Sequence, residues 1–243
     1  IETVKQLLPK NTVFHAYYDQ FLFHPKDIPF KALETPKVFT VFRKILEKQA
    51  KVRPLISVSP QKKEGLLDFD IPIPTLKDLG LEIPQKIPHS AFPFCGGETS
   101  GKNRLNHYIF KTKALGVYKK TRNGLVGTDY SSKFSAWLAN GSLSAREIYW
   151  AVKSFEKQHF SNQSTYWMIF ELIWRDFFKY VALKHGNSIF KIEGILNHNY
   201  PWSNTQKLIQ QWIHGQTPDD FVNANMIELK TTGWMSNRGR QNV

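Results

Sequence analysis

Residues 164–184 read STYWMIFELIWRDFFKYVALK, and this stretch decides the fold class. Steps of three and four residues along it put four side chains on one stripe of a helix: Trp167, Glu171, Trp174 and Phe178. We therefore predict one long amphipathic helix that carries a carboxylate among three bulky aromatic side chains.

Capping signals extend the helical prediction to both sides of this stretch. Ser164 can cap the long helix, which we expect to end near residue 185, ahead of Gly186. Ser144 and Glu147 match a capping box that precedes an apolar-periodic run to about residue 158. Shorter helices are expected at about residues 37–51, 102–113, 133–140, 205–214 and 219–231. No alternating strand pattern follows residue 96, so this part of the chain is predicted to be mainly α-helical.

The chain divides by composition into three parts. Residues 1–30 combine a short helix with a β-like run at residues 12–18, which is typical of the end of an αβ unit. Residues 31–94 contain a proline-rich stretch and are predicted to form a long linker wrapped on a domain surface, with a disordered linker as the alternative. Residues 95–243 hold all seven tryptophans and are predicted to form a helical domain.

The net charge favours a polyanionic partner. The chain has 33 Lys and Arg residues against 20 Asp and Glu residues, a formal charge of +13. Nucleic acid is the first expectation and an anionic membrane surface the second, while a solvated basic surface without such a partner is the alternative.

Several classes of protein find no support in the sequence. A single cysteine excludes an internal disulfide framework. The eight histidines show no metal-ligand spacing, so we predict no metal site. No apolar run reaches the roughly 18 residues that a membrane span needs.

Glu171 is the first candidate functional residue. It precedes Arg175 by four residues, which favours an intrahelical ion pair worth about 0.2–0.5 kcal/mol. An ordinary core helix with that pair at its rim explains the spacing equally well. A carboxylate buried among aromatic rings, however, needs a hydrogen-bond donor, which is either Arg175 or a ligand. Glu171 beside Trp174 would suit a nucleobase, with ring stacked on ring and the carboxylate on the imide edge.

A second candidate site is the sequence TDYSSKFS at residues 128–135. Hydroxyl groups and a lysine at the start of a short helix form an anion site, because unpaired N–H groups and the positive end of the helix dipole face the ligand. Simple N-capping is the alternative interpretation.

A third candidate site is the sequence MSNRGR at residues 235–240. Ser236 can cap a helix whose first turn carries Asn237, Arg238 and Arg240. Two arginines at a helix start oppose the dipole, so they favour a nearby anion or carboxylate. Solvation at the surface is the alternative.

These three stretches, together with YKKTRNG at 118–124 and NQSTYW at 162–167, occur in the order found in the cryptochrome/photolyase family. The chain resembles most nearly the DASH branch of that family, strongly across about residues 95–243 and more weakly across 13–53. The resemblance implies a helical FAD-binding domain of photolyase type at 95–243, preceded by a remnant of an α/β antenna domain at 1–30 and an interdomain linker at 31–94.

The resemblance also implies that the chain is a fragment of a longer protein. Most of the antenna domain would precede residue 1, and the last part of the FAD domain would follow residue 243. We therefore expect residues 1–243 alone to bind FAD weakly or not at all and to be inactive, whereas the parent protein binds it.

The activity implied by the resemblance is light-driven, FAD-dependent repair of cyclobutane pyrimidine dimers, preferentially in single-stranded or looped DNA. A blue-light photoreceptor that binds DNA or RNA without repair is the alternative, and a helical nucleic-acid-binding module without flavin is a third interpretation. A folate, methenyltetrahydrofolate, is the implied antenna pigment. We expect a monomer without a membrane partner. Its compartment would be the cytoplasm and nucleoid in a bacterium, or an organelle or the nucleus in a eukaryote.

The resemblance also implies a role for individual residues. FAD-binding positions are Tyr118, Ser131, Ser132, Lys133, Phe134, Ser135, Arg175 and Arg240. Catalytic positions, which contact the dimer, are Glu171, Trp174 and Asn237. DNA-binding positions are Arg122, Glu171, Trp174 and Arg238. Trp202 is the expected outer member of a tryptophan electron-transfer relay.

Overall fold

The computed structural model describes residues 2–9, 11–57, 72–83, 85 and 87–243. Within these residues the chain forms ten α-helices and no β-strand, which agrees with a mainly α fold. The helices are α1 (Glu2–Leu7), α2 (Phe39–Gln49), α3 (Glu98–Asn106), α4 (Tyr118–Thr121), α5 (Ser135–Asn140), α6 (Ala145–Gln158), α7 (Gln163–His185), α8 (Gln206–Ile213), α9 (Asp220–Thr232) and α10 (Asn237–Asn242).

Helix α7 is the centre of the core. Its buried side chains pack with residues of α2, α4 and α6 in one hydrophobic cluster. The N-cap differs from the prediction, because the Asn162 side chain accepts hydrogen bonds from the N–H groups of Ser164 and Thr165 at 2.8 and 3.0 Å. Ser164 instead lies in the first turn, and its hydroxyl accepts a bond from the N–H of Lys119 that attaches α4. Among the described helices none, α7 included, combines the length and apolar character of a membrane span.

Two other predicted caps are confirmed. Ser144 and Glu147 form the reciprocal capping box at the start of α6, with hydrogen bonds of 3.0 and 2.8 Å. The Ser236 hydroxyl accepts a bond of 2.9 Å from the N–H of Gly239 at the start of α10. Because Ser236 is itself buried, the cap fixes the position at which α10 begins.

The β-like run predicted at residues 12–18 is wrong. Residues 12–19 are irregular and exposed, since a strand needs a hydrogen-bonded neighbour and no strand occurs in the described residues. The chain enters the core immediately afterwards, at residues 21–23. There the Asp176 carboxylate of α7 accepts hydrogen bonds from the N–H groups of Leu22 and Phe23 at 3.0 and 2.8 Å.

The predicted linker packs on the helices at its end. Phe92 stacks on Trp234 with ring centroids 4.8 Å apart, and it also contacts Trp137. Residues 72–83 are exposed, and residues 58–71, 84 and 86 lie outside the described residues. The division into three parts at residues 30/31 and 94/95 remains a prediction.

Candidate functional site

The start of α5, the start of α10 and one side of α7 enclose a cavity of about 580 Å³, which we call the polar cavity. It brings together side chains separated by more than a hundred residues in the sequence. The predicted site residues that line it are Tyr118, Arg122, Ser131, Ser132, Lys133, Phe134, Ser135, Glu171, Asn237 and Arg240.

A second cavity of about 610 Å³, which we call the aromatic cavity, shares a wall with the first. Glu171 and Asn237 line both cavities, whereas Trp174, Arg175 and Phe178 line only the aromatic cavity. Glu171 and Trp174 therefore face a common space next to the serine-rich segment.

Glu171 is paired with an arginine on a different helix from the one expected. Its carboxylate lies 2.9 Å from a guanidinium nitrogen of Arg122, at the end of α4. The predicted pair with Arg175 does not form, because that guanidinium donates to the carbonyl oxygens of Gln20 and Leu138. Burial raises the pKa of the Glu171 carboxyl above its usual range, and Arg122 opposes that shift. Arg175 thus joins the chain before residue 21 to the end of α5.

Trp174 is held in a stack of aromatic rings. Its indole lies almost parallel to the ring of Phe39, with centroids 3.5 Å apart, and Phe178 stacks at 5.6 Å. Phe39 belongs to the buried core, whereas Phe178 is 62% exposed. A nucleobase that reached Trp174 in this arrangement would meet an edge of the indole or displace Phe178, so the expected ring-on-ring contact needs a rearrangement.

Arg104 of α3 organises the serine-rich segment from behind. Its guanidinium donates to the carbonyl oxygens of Thr128, Ser131 and Ser132 at 3.0–3.1 Å and to the carboxylate of Asp129 at 2.6 Å. The side chain is only 3% exposed. Four charge-assisted hydrogen bonds to one short loop fix the backbone that carries the serines.

The capping alternative for residues 128–135 is not observed. Phe134 is the N-cap of α5, and no side chain caps that helix. Helix α5 has six residues, so its dipole is small, and any attraction for an anion comes mainly from the serines and Lys133.

Lys133 has an unusual environment for an ammonium group. The residue is 3% exposed, its backbone φ is +65°, and Nζ has no hydrogen-bond partner among the described residues. The nitrogen lies 3.3 Å from the ring centroid of Tyr130 and 4.9 Å from that of Trp234. The φ angle is uncommon for a residue other than glycine, so the surrounding loop holds Lys133 in a strained conformation.

The three polar residues at the start of α10 take different positions. Asn237 lines both cavities, and Arg240 lines the polar cavity. Arg238 lines neither, because its guanidinium donates to the side chain of Asn123 at 2.9 Å, next to the end of α4. Its role in DNA binding stays a prediction.

The site has clear relatives among known proteins. A family described as the FAD binding domain of DNA photolyase matches residues 167–243. Cryptochrome DASH of Danio rerio is 47% identical over 247 residues, which cover 100% of this chain and 47% of that protein. This chain belongs to the DASH branch of the cryptochrome/photolyase family.

Two further comparisons place the chain within this branch. The chloroplastic/mitochondrial cryptochrome DASH of Arabidopsis thaliana is 43% identical over 235 residues, covering 96% of this chain and 41% of that protein. The crystal structure of the Synechocystis cryptochrome superposes with a TM-score of 0.83 at 45% identity, over 93% of this chain and 47% of that one. The chain spans about half the length of the curated relatives it matches.

The residues of the polar cavity fit the diphosphate of FAD, the cofactor named in the description of the matched family. The observation is the buried Lys133 amine without a partner, beside three serines on the same wall. A phosphate would provide the acceptor that this amine lacks. Lys133, Arg240 and the serines are therefore the residues that would hold the group.

Trp202, the expected outer relay residue, lies apart from both cavities. It is 67% exposed, and its ring neighbour is Tyr200 at 5.8 Å. Its role in electron transfer stays a prediction.

Sequence reasoning missed three residues that build this site: Arg104, Tyr130 and Trp234. Arg104 and Trp234 belong to no motif quoted above, and Tyr130 appeared only as part of the 128–135 segment. Arg104 bonds to a loop 24 or more residues away, and Trp234 contacts Lys133 about a hundred residues away, so local spacing carries no signal for either.

Proposed function

We propose that the protein repairs cyclobutane pyrimidine dimers with FAD and light, preferentially in single-stranded or looped DNA. The observation that carries the proposal is that Glu171 and Trp174 line one cavity, directly beside the polar cavity with its serines and Lys133. A dimer extruded from the strand needs such a pocket adjoining the electron donor.

FAD, when bound, reduced and excited by light, would lend the dimer the electron that breaks the two bonds joining its bases, and would take that electron back once the ring has opened. The serines at 131, 132 and 135 with Lys133 hold its diphosphate, and Tyr118 lines the cavity wall beside them. Trp174, braced by Phe39, limits the position of the dimer in the aromatic cavity.

Glu171 donates a hydrogen bond to the dimer while the dimer carries the extra electron. A protonated carboxyl donates such a bond, and burial raises the pKa of Glu171 toward that form. Arg122 lowers the pKa of the Glu171 carboxyl and so favours its ionised form. Asn237, which lines the same two cavities, supplies a second polar group to the dimer.

The proposed substrate fits the charge of the chain. Lys119, Lys120 and Arg122 lie along α4 and its end. Arg122 lines the polar cavity, and Arg238 is bonded to the neighbouring residue Asn123. We infer that these cations bind the phosphates that flank the lesion, so affinity for DNA falls as salt increases. RNA is a weaker candidate partner. We also propose that the protein is a monomer and that it carries a folate antenna pigment. Its compartment would be the cytoplasm and nucleoid in a bacterium, or an organelle or the nucleus in a eukaryote.

The test is illumination of the native protein, carrying reduced flavin, with an oligonucleotide that contains one pyrimidine dimer. Recovery of ultraviolet absorbance by the bases measures repair. Glu171→Gln should lower the repair rate by at least about tenfold. The matched control is Glu47→Gln, since Glu47 is also paired with an arginine at 3.2 Å and is similarly exposed but lies outside both cavities. Absence of repair on single strands by the unaltered protein contradicts the proposal.

One observation favours a photoreceptor without repair activity. Phe39 covers one face of Trp174 at 3.5 Å, so the indole offers that face to no base. In this case the same illumination restores no absorbance, although the purified protein is yellow and binds single-stranded DNA.

A further inference from the structure

Two buried cations lie close together next to the polar cavity, and only one of them has partners. Arg104 donates four hydrogen bonds, as described above. The Lys133 ammonium donates none, although its side chain is as deeply buried. The great majority of buried polar groups are paired, so the unpaired nitrogen requires an explanation.

The aromatic rings around Lys133 do not replace the water that its ammonium has lost. A cation–π contact contributes about 0.5–2 kcal/mol, whereas removing an ammonium from water costs several kcal/mol. Arg104 adds repulsion. Burial, with a smaller contribution from Arg104, lowers the pKa of the Lys133 amine to about 7, against the opposing effects of Glu228 and Asp129. The charged form is therefore disfavoured until another anion arrives.

We propose that Lys133 is a proton-linked counter-charge: its buried amine, which has no hydrogen-bond partner among the described residues, takes up a proton from solvent when the FAD diphosphate binds beside it. The inference rests on the proposed function, because FAD is the anion. Negative charge in a poorly solvated wall favours the ammonium form, so binding and protonation strengthen each other.

Other charged groups face the same region and must be separated from Lys133 by experiment. Arg104, Asp129 and Glu228 lie close enough to shift the pKa of the Lys133 amine. Arg122, Glu171 and Arg240 line the polar cavity. The arginines keep their charge throughout. Burial raises the pKa values of the Glu171 and Glu228 carboxyls, so proton uptake alone does not identify its acceptor.

The experiment is calorimetry of FAD binding to the full-length parent protein stripped of flavin, in two buffers with different ionisation enthalpies. FAD itself exchanges no proton between about pH 6 and about pH 8.5, so the difference between buffers counts protons taken up by the protein. We expect uptake near zero at about pH 6, rising toward one at about pH 8.5. Affinity should fall by up to about tenfold per pH unit above about pH 7.

Three variants assign the proton. Lys133→Met removes the amine and Lys133→Arg makes the charge permanent, so both abolish uptake. Lys133→Arg also keeps its affinity at high pH, which a merely structural role for the side chain does not predict. Lys153→Met is the matched control, since Lys153 also contacts an aromatic ring, that of Tyr149 at 5.7 Å, but lies on α6 away from the cavity. It should retain the uptake of the unaltered protein.

The outcomes separate the two proposals. FAD binding without proton uptake at high pH, or uptake that persists in Lys133→Arg, overturns the role of Lys133 and leaves FAD binding intact. Absence of FAD binding at any pH overturns the proposed function and this inference with it.

Discussion

Helix α7 carries two buried or partly buried carboxylates five residues apart, and their surroundings are opposite. Asp176 is fully buried and accepts hydrogen bonds from two backbone N–H groups of residues 22 and 23. Glu171 is 28% exposed, lines two cavities and is paired with one partly exposed side chain, Arg122. The first carboxylate joins two parts of the chain, and the second keeps acceptor capacity for a ligand.

The difference teaches how one helix supports both stability and chemistry. Asp176 is completely buried and both of its oxygens are bonded to backbone groups, so a substrate cannot reach it. A carboxylate that is paired with a single, partly exposed cation can exchange that partner for a ligand at modest cost in free energy.

The largest effect is expected from Asp176→Ala. It leaves the N–H groups of Leu22 and Phe23 buried without an acceptor, and each such group costs about 1–3 kcal/mol. The free energy of unfolding, measured by urea denaturation, should fall by about 2–5 kcal/mol. Asp78→Ala, which alters an exposed carboxylate, is the control. A loss below about 1 kcal/mol would mean that Asp176 does not hold residues 21–23.

The pH dependence of stability should also come from Asp176. Burial raises the pKa of its carboxyl from 3.8 to about 7, against the opposing effect of the two N–H donors. Between these values the folded chain binds more protons than the unfolded chain, so the free energy of unfolding falls as the pH rises through this window. Asp176→Asn, which does not titrate, should remove this part of the slope. Equal slopes in both proteins would contradict the assignment.

A smaller loss is expected where the cavity is supported from behind. Arg104→Lys keeps the charge but cannot make the four hydrogen bonds to residues 128–132. Unfolding free energy should fall by about 1–3 kcal/mol, and FAD affinity should weaken by about tenfold or more because the serines lose their fixed positions. Urea denaturation and calorimetry measure the two quantities. Unchanged FAD affinity would show that the loop needs no such support.

The smallest effect on stability is expected from Glu171→Gln. Arg122 is 23% exposed, so its charge returns to water when its partner is removed. The unfolding free energy should change by less than about 1 kcal/mol, in contrast to Asp176→Ala. A loss as large as that of Asp176→Ala would erase the distinction between the two carboxylates.

Much of the helical framework was predictable from local pattern. The long helix at residues 163–185, the capping box at Ser144 and the cap at Ser236 all follow from spacing and side-chain chemistry within a few residues. The failures lie where a distant partner decides. The run at residues 12–18 has strand-like composition but no neighbouring strand among the described residues. Ser164 does not cap the long helix; its hydroxyl accepts a bond from the N–H of Lys119, 45 residues away, and Asn162 provides the cap.

The candidate site was predicted in its members but not in its pairings. The sequence named Glu171, Lys133 and Asn237, and all three line the polar cavity. It suggested Arg175 as the partner of Glu171, because spacing along the sequence reveals only ion pairs between residues three or four apart on one helix. The observed partner, Arg122, is 49 residues away and becomes a neighbour only when α4 packs on α7.

The sequence by itself determined that this chain is mainly helical, that it resembles DASH cryptochromes, and which residue types stand in its three polar motifs, because helix periodicity, caps and motifs are local properties of the chain. Only the tertiary structure decided which charges are paired and which remain unpaired. Burial and partner choice depend on packing between helices that are distant in sequence, so the contrast between Glu171 and Asp176, and the isolated amine of Lys133, appear only after the chain has folded.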